Sequence, residues 1–435
     1  MFTLTGTDRP GVTAALLSAL AQPGVQVLDM EQVVVRGQLT LGVLAAPGTE
    51  HGDSADEPSA GQALLDAPRH HDEPASQHGT ELTRTRGSQH PAPAASMGTV
   101  ASLRTAAQAC ADTLQMELRV RVGHGDSRSR RAGRASVTVL AESLDAGSMH
   151  QVAGLIGAHG ANIDRIRRLS RYPVTTVEFE VSGAEVDLLR RELVTFSHDS
   201  GLDLAVSPAG LARRGRRLLV MDVDSTLIQD EVIELLAAHA GREADVAAVT
   251  EAAMRGELDF AASLHERVAT LAGLDVAVLD QVRAAVRLTP GAARLCRTLR
   301  RLGCTIGVVS GGFAEVVEPL AADLGITHVR ANRLEVVDGR LTGRVRGPVI
   351  DRAAKAVALQ EFAAAEHLPL SRTVAVGDGA NDLDMLAIAG LGVAFNAKPL
   401  VRQQASAALN VPYLDAVLYL LGISSDEVDE ADATD

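Results

Sequence analysis

Four short runs of nearly unbroken apolar residues lie in the C-terminal half of the chain, at 217–221 (RLLVM), 304–309 (CTIGVV), 373–376 (TVAV) and 391–395 (LGVAF). A strand that is apolar at every position has to be covered on both faces, which is the condition of a parallel sheet sandwiched between helices. Helical patterns separate the runs, so residues 216–422 are expected to form a doubly wound α/β domain. Residues 229–288 interrupt the alternation directly after the first run. They read as helical throughout, an inserted helical cap.

Reactive groups in such sheets collect beyond the carboxyl ends of the strands. Three of the runs end abruptly in polar residues: Asp222-Val223-Asp224-Ser225-Thr226, Ser310-Gly311-Gly312, and Gly377-Asp378-Gly379-Ala380-Asn381-Asp382. Between the last two lies Asp351-Arg352-Ala353-Ala354-Lys355. Three carboxylates on one rim, Asp222, Asp224 and Asp378, would repel one another without a cation, and hard oxygen ligands with room for water and phosphate point to Mg²⁺. Asp222, first off the buried strand, is the natural nucleophile toward phosphorus. Asp224 lies two residues on and can protonate the leaving alkoxide, then deprotonate water. Ser310 with the Gly311 and Gly312 amides can bond phosphoryl oxygens. Lys355 supplies positive charge; it is one of only two lysines, the other being Lys398. Asn381 and Asp382 stand behind these groups, bonding the phosphate and supporting the ligands. Any one of these segments would pass for an ordinary capping turn. The four in this order point to phosphoryl transfer.

The N-terminal half repeats itself. Residues 1–123 read as β-α-β-β-α-β, and 135–207 read the same way again. The first copy is interrupted at 48–98, a stretch rich in Gly, Ser, Pro, Asp and His that cannot bury enough surface to hold a fold and reads as a disordered insert. It carries five of the 13 histidines, at irregular spacing. Gly123 to Arg134 reads as a linker. Residues 423–435 form an acidic tail, expected to be solvated and frayed from Asp426 onward.

Composition removes several classes. A net charge of −14 repels phosphate backbones, and aromatics at 2% with no Trp offer no stacking platform, so nucleic acid is not expected as a partner. No apolar run has membrane-spanning length and the N-terminus lacks a signal-peptide layout. Cys110, Cys296 and Cys304 follow no metal spacing and read as reduced, mostly buried thiols of a cytoplasmic protein. His239, His265 and His328 have no evident partners.

The segments Asp-Val-Asp-Ser-Thr, Ser-Gly-Gly-Phe, the Lys355 segment and Gly-Asp-Gly-Ala-Asn-Asp resemble the four motifs of the haloacid-dehalogenase superfamily, and within it those of the phosphoserine phosphatases. The two repeats resemble amino-acid-binding ACT domains, with Asp8-Arg9-Pro10-Gly11-Val12 similar to a familiar ACT opening. The combination resembles the actinobacterial type, with tandem ACT domains ahead of the phosphatase. The resemblance implies hydrolysis of O-phospho-L-serine to L-serine and phosphate, the last step of serine biosynthesis, through an aspartyl-phosphate. It also implies Mg²⁺ as cofactor and a homo-oligomer joined through the ACT domains. The insert at 48–98 departs from the pattern.

Phosphoserine needs an anion for its ammonium and a cation for its carboxylate. Glu231 and Arg267 fit those roles, while Met254 and Phe260 can close an apolar lid. The resemblance implies all four as substrate-binding residues. It also implies an amino-acid effector, with serine the obvious one, at a site that includes Asp8 and Gly11. Two other readings stay open: a related phosphatase or phosphotransferase acting on another phosphomonoester, and a non-catalytic amino-acid-binding regulator.

Overall fold

The computed structural model describes residues 1–23, 25–47, 97–123, 133–209, 213, 215–254 and 260–434, with the side chains of 47, 97–99, 250–254 and 260 outside that description. Nearly all of the expected insert and linker lies outside the described residues. The chain divides into two compact units, 1–128 and 129–435.

In the first unit the order is β1 (Phe2–Thr7), α1 (Val12–Leu20), β2 (Val25–Val35), β3 (Gln38–Pro47), α2 (Met97–Thr113) and β4 (Glu117–Val120). Helix α2 begins at Met97, so the last two residues of the stretch read as disordered belong to it. The antiparallel sheet runs β2-β3-β1-β4. Its core follows from spacing: Val12, Leu16 and Leu20 share one face of α1, Leu103, Ala107 and Ala111 one face of α2, and alternate residues Leu39, Leu41 and Val43 face inward from β3.

The second unit opens with the same pattern: β5 (Ala135–Ala141), α3 (Ala146–Ala158), β6 (Asn162–Ser170), β7 (Thr175–Ser182), α4 (Val186–Ser200) and β8 (Asp203–Pro208). Its strand order, β8-β5-β7-β6, repeats that of the first unit read from the other end. Then come β9 (Leu218–Met221), the cap helices α5 (Val232–Ala240), α6 (Glu243–Met254), α7 (Phe260–Ala269) and α8 (Val278–Ala285), and α9 (Ala292–Arg301). The remainder is β10 (Thr305–Phe313), α10 (Ala314–Leu324), β11 (His328–Val337), β12 (Arg340–Arg346), α11 (Arg352–Ala365), β13 (Thr373–Gly377), α12 (Leu383–Ile388), β14 (Leu391–Phe395), α13 (Pro399–Gln404), β15 (Ala407–Leu409), α14 (Val417–Leu420) and α15 (Ser425–Ala433).

Strands β10, β9, β13, β14 and β15 pair in parallel, and alternation along them feeds two separate cores. Leu219, Met221, Val374, Val376 and Val393 pack on one side; Leu218, Val220, Ala375 and Ala394 pack on the other. This two-sided burial is the physical content of the apolar runs. The sheet does not stop at β15. Ala407 pairs antiparallel with Ala205 of β8, giving eleven strands in the order β12-β11-β10-β9-β13-β14-β15-β8-β5-β7-β6. Buried Asp203 locks the seam, accepting from the backbone N–H of Asn410 at 2.7 Å and from its Nδ2 at 2.6 Å.

The cap leaves and re-enters the core at one point. Ile228 bridges Leu288, and Gln229 N–H donates to Arg287 O at 2.9 Å. Beyond α7 the cap is fastened to β12: Gly273 N–H donates to Leu341 O and Leu341 N–H to Leu274 O, both at 2.8 Å.

Three sequence expectations need correction. The acidic tail is not frayed. Ser424 and Glu427 form a capping box that starts α15, Val428 is buried, and Asp432 meets the row Arg294, Arg297 and Arg301 on α9 at 2.6–3.2 Å. His328 has partners: Nε2 lies 2.7 Å from Glu366 Oε1 and the ring stacks on Phe362. Of the thiols only Cys296 is buried; Cys110 and Cys304 are half-buried. Among the described residues no helix is long and apolar enough to cross a membrane.

Candidate active site

Parallel register sets the rim. Met221 is level with Val308 on one side and Val376 on the other, so Asp222, Ser310 and Asp378 emerge together at the carboxyl edge. Asp222 is 5% exposed, and its own backbone N–H donates to Val376 O at 2.9 Å. Lys355 arrives from α11, whose N-cap Asp351 accepts from Ala354 N–H at 2.8 Å. That ammonium is fully buried and lies 2.7 Å from both Asp222 Oδ2 and Asp382 Oδ1. The other oxygen of Asp382 accepts from Gly379 N–H at 3.0 Å.

Asp378 accepts from Thr226 Oγ1 at 2.8 Å, and Thr226 O in turn accepts from Thr289 Oγ1 at 2.7 Å. Carboxylate oxygens of Asp222, Asp378 and Asp382 lie within 4.8 Å of one another, a grouping able to hold a metal ion. The carboxylate of Asp224 does not join them. Its Oδ1 accepts from Val232 N–H at 2.9 Å and its Oδ2 from Ser310 Oγ at 3.3 Å, which turns it toward the cap and the glycine loop. Ser310 Oγ also accepts from Gly312 N–H at 2.8 Å. A Cβ on Gly312 would stand 2.8 Å from Asp224 Oδ2 and 3.0 Å from Ser310 Oγ, so a larger residue there would have to displace the two side chains it faces.

Ser225 takes a left-handed backbone (φ 56°) that bends the segment after β9, and its hydroxyl donates to Glu231 Oε1 at 2.9 Å. Five carboxylates, Asp222, Asp224, Glu231, Asp378 and Asp382, therefore share the rim with the cations of Lys355 and Arg267. Burial pushes Asp222 well above the ordinary carboxylate range, and the charge on Asp382 adds to this against the pull of Lys355. Burial, then the charge on Glu231, pushes Asp224 up to about 7. Burial carries Asp378 to about 6, opposed by the Thr226 hydrogen bond. Lys355 goes the other way from its burial: Asp222 and Asp382 outweigh it, and the ammonium is held protonated. Burial is the main reason Asp222 stays high beside Lys355, and one ammonium shared by two carboxylates does not offset it.

The haloacid dehalogenase-like hydrolase family matches residues 219–387, and ACT-domain families match 1–52 and 134–207. Over 427 residues the chain is 53% identical to a phosphoserine phosphatase of Streptomyces coelicolor, covering 98% of this chain and 93% of that one. The chain belongs to the phosphoserine phosphatase family. A Mycobacterium tuberculosis phosphoserine phosphatase is 48% identical, with 100% of this chain and 96% of the relative covered. The crystal structure of a probable phosphoserine phosphatase from Vibrio cholerae, unliganded, aligns with a TM-score of 0.53 at 32% identity, over 68% of this chain and 88% of that one.

In this phosphatase the sequence-derived residues divide as follows. Asp222, Asp224, Ser310, Gly311, Gly312, Lys355, Asp378 and Asp382 share one rim, and Asn381 sits half-buried in the turn before Asp382. Glu231 reaches that rim through Ser225. Burial lowers the pKa of Arg267, opposed by the charges of Glu231 and Asp224. The side chains of Met254 and Phe260 lie outside the described residues. Asp8 and Gly11 are exposed in the turn between β1 and α1, where Gly11 has φ 93°. Thr226 and Thr289, which orient Asp378, went unnoticed. Thr226 stood inside the quoted Asp-Val-Asp-Ser-Thr segment, so its position was the available signal.

Proposed function

We propose that the chain hydrolyses O-phospho-L-serine to L-serine and phosphate, with Asp222 as nucleophile and Asp224 as the acid and base. The reading is carried by the buried Asp222–Lys355–Asp382 contact set beside Asp378 at the end of β9. An Asp222 oxygen attacks phosphorus, the bond to the serine oxygen breaks, and that oxygen takes the proton of Asp224. A pKa near 7 suits Asp224 to hold that proton at neutral pH and to take one back. In the second half Asp224 accepts a proton from water, the hydroxide oxygen attacks phosphorus, and phosphate leaves with Asp222 restored. Ser310 and the glycine-loop amides hold the phosphoryl oxygens, with Asn381 beside them, and Lys355 stabilises the charge that moves onto them.

The acidic rim fits a divalent cation by its chemistry. Asp382 lies fully buried behind the group, between Lys355 and Gly379 N–H, and Asp378 is its least buried member, so Asp222 and Asp378 are the pair assigned to Mg²⁺. When bound, Mg²⁺ supplies the positive charge that lets a phosphate dianion approach so many carboxylates. Glu231 receives the substrate ammonium and Arg267 its carboxylate, with Met254 and Phe260 closing the apolar lid. The ACT domains take an amino acid, serine being the product to sense, at the Asp8–Gly11 turn. Exposed Val27, Leu28, Met30 and Val33–Val35 along edge strand β2 support association of copies. The free cysteines support a cytoplasmic location.

The test is phosphate release from O-phospho-L-serine, phosphothreonine, glycerol phosphate and a sugar phosphate, with and without Mg²⁺, for wild type and Asp222→Asn. Cation-dependent release dominated by phosphoserine and abolished in the variant is expected. Even release across the panel would overturn the Glu231/Arg267 assignment, and no release would overturn the reaction.

A further inference from the structure

Asn332 lies on β11 and is 1% exposed. Its Nδ2 donates to Gly311 O at 2.8 Å, and its Oδ1 accepts from Ile350 N–H at 2.8 Å. One partner can only accept and the other can only donate, so a single orientation of the amide satisfies both.

Both partners belong to segments that build the rim. Pairing between β10 and β11 runs to Ser310↔Ala331 and resumes at Phe313↔Asn332, so Gly311 and Gly312 have no ladder partners. Lacking Cβ as well, they form the stretch of the rim whose backbone is least restricted by its own chemistry. Gly311 C=O and Gly312 N–H belong to one planar peptide unit, so whatever fixes the first fixes the direction of the second. That N–H is the group donating to Ser310 Oγ. On the other side, Ile350 immediately precedes Asp351, the N-cap of the helix that carries Lys355 one turn later.

We infer that Asn332 is a positioning residue for phosphoryl transfer, clamping the Gly311–Gly312 peptide in the orientation that aims Gly312 N–H at the Ser310 side and tying it to the start of the Lys355 helix. This rests on the reading of Ser310, Gly311 and Gly312 as the phosphoryl cradle. The clamp explains why a buried amide stands on a strand that otherwise only backs the site. An apolar residue of the same size would leave Gly311 C=O and Ile350 N–H unpaired in a dry environment.

The experiment compares wild type with Asn332→Asp and Asn332→Ala, full-length, by steady-state turnover and by calorimetric titration with inorganic phosphate in Mg²⁺. Aspartate keeps the shape and the acceptor for Ile350 N–H but turns an oxygen toward Gly311 O. Alanine leaves space for a water in its place. Expected is a fall in kcat of about 10–100-fold for Asp, smaller for Ala, with phosphate affinity weakened in the same order. Titration stoichiometry counts folded sites and affinity reports the cradle, so a merely structural role lowers the first and leaves the second unchanged. That pattern, wild-type kcat in either folded variant, or failure of both variants to fold would each overturn the inference. A wild type that binds phosphate yet turns over nothing would strike the reaction itself, while the affinity ranking would still judge the clamp.

Discussion

Lys355→Met removes the one ammonium that two buried carboxylates share and leaves a side chain of similar length. Breaking a buried ion pair from one side costs about 3–5 kcal/mol, because the abandoned charge stays desolvated. Here the contacts are 2.7 Å to Asp222 and 2.7 Å to Asp382, with no exposure of the lysine side chain, so the upper part of that range applies. The loss has a definite pH dependence. Burial and Asp382 already hold Asp222 well above its ordinary value, and removing Lys355 raises it further. A carboxyl whose folded pKa exceeds its unfolded one contributes stability that is fully present below the unfolded value, about 4, and is lost as pH rises toward the folded value. The variant should therefore come closest to wild type near pH 4–5 and fall behind through neutrality. At about 2–4 °C per kcal/mol, the melting temperature should trail by on the order of 8–20 °C at pH 8. Scanning calorimetry is the assay, since the chain has no Trp, and a chelator keeps cations from offsetting the carboxylates. A deficit that is flat with pH, or that shrinks as pH rises, would refute this account of the charge balance.

Three further outcomes follow from the site and its surroundings. If Asp224, near 7, is the acid, kcat/KM should decline as pH rises through about 7, and Asp224→Asn should remove that limb with a loss of about 10²–10⁴-fold in a pH–rate profile. Thr226→Val keeps the shape but withdraws the donor to Asp378; Mg²⁺ activation curves should shift to about 10–100-fold higher concentration, and an unshifted curve would remove Asp378 from the cation site. Asp432→Asn should speed amide exchange in α15 while leaving the main melting transition almost unmoved, because partly exposed ion pairs contribute little to global stability.

The sequence made the phosphatase sheet legible because strands buried on both faces must be apolar at every position; 217–221 and 373–376 could be little else. The repeats were legible through their shared order. Strands β11 and β12 were missed because they alternate charged and apolar residues, although Asp338-Gly339, both at positive φ, is the strongest local hairpin signal there. Missing β11 meant missing Asn332. The tail was misjudged because a run of acids looks solvated until its partners are known, and Arg294, Arg297 and Arg301 are some 130 residues earlier. Asp224 could be located by sequence but not aimed: the backbone N–H of Val232, from the cap, decides where its carboxylate points.

The seam at β15 has a practical consequence for anyone seeking a minimal enzyme. Cutting the chain between 208 and 217 would strip β8 from Ala407–Leu409 and take Asp203 from Asn410. It would also uncover the side of the core that Leu140, Leu169, Val174 and Ala205 share with Tyr419 and Leu420. The shortened protein would then carry a bare, alanine-rich strand edge, a template for association with its own copies. Solubility in such a form would have to be restored at the strand itself, with a lysine or proline placed along 407–409, rather than by moving the cut a few residues either way.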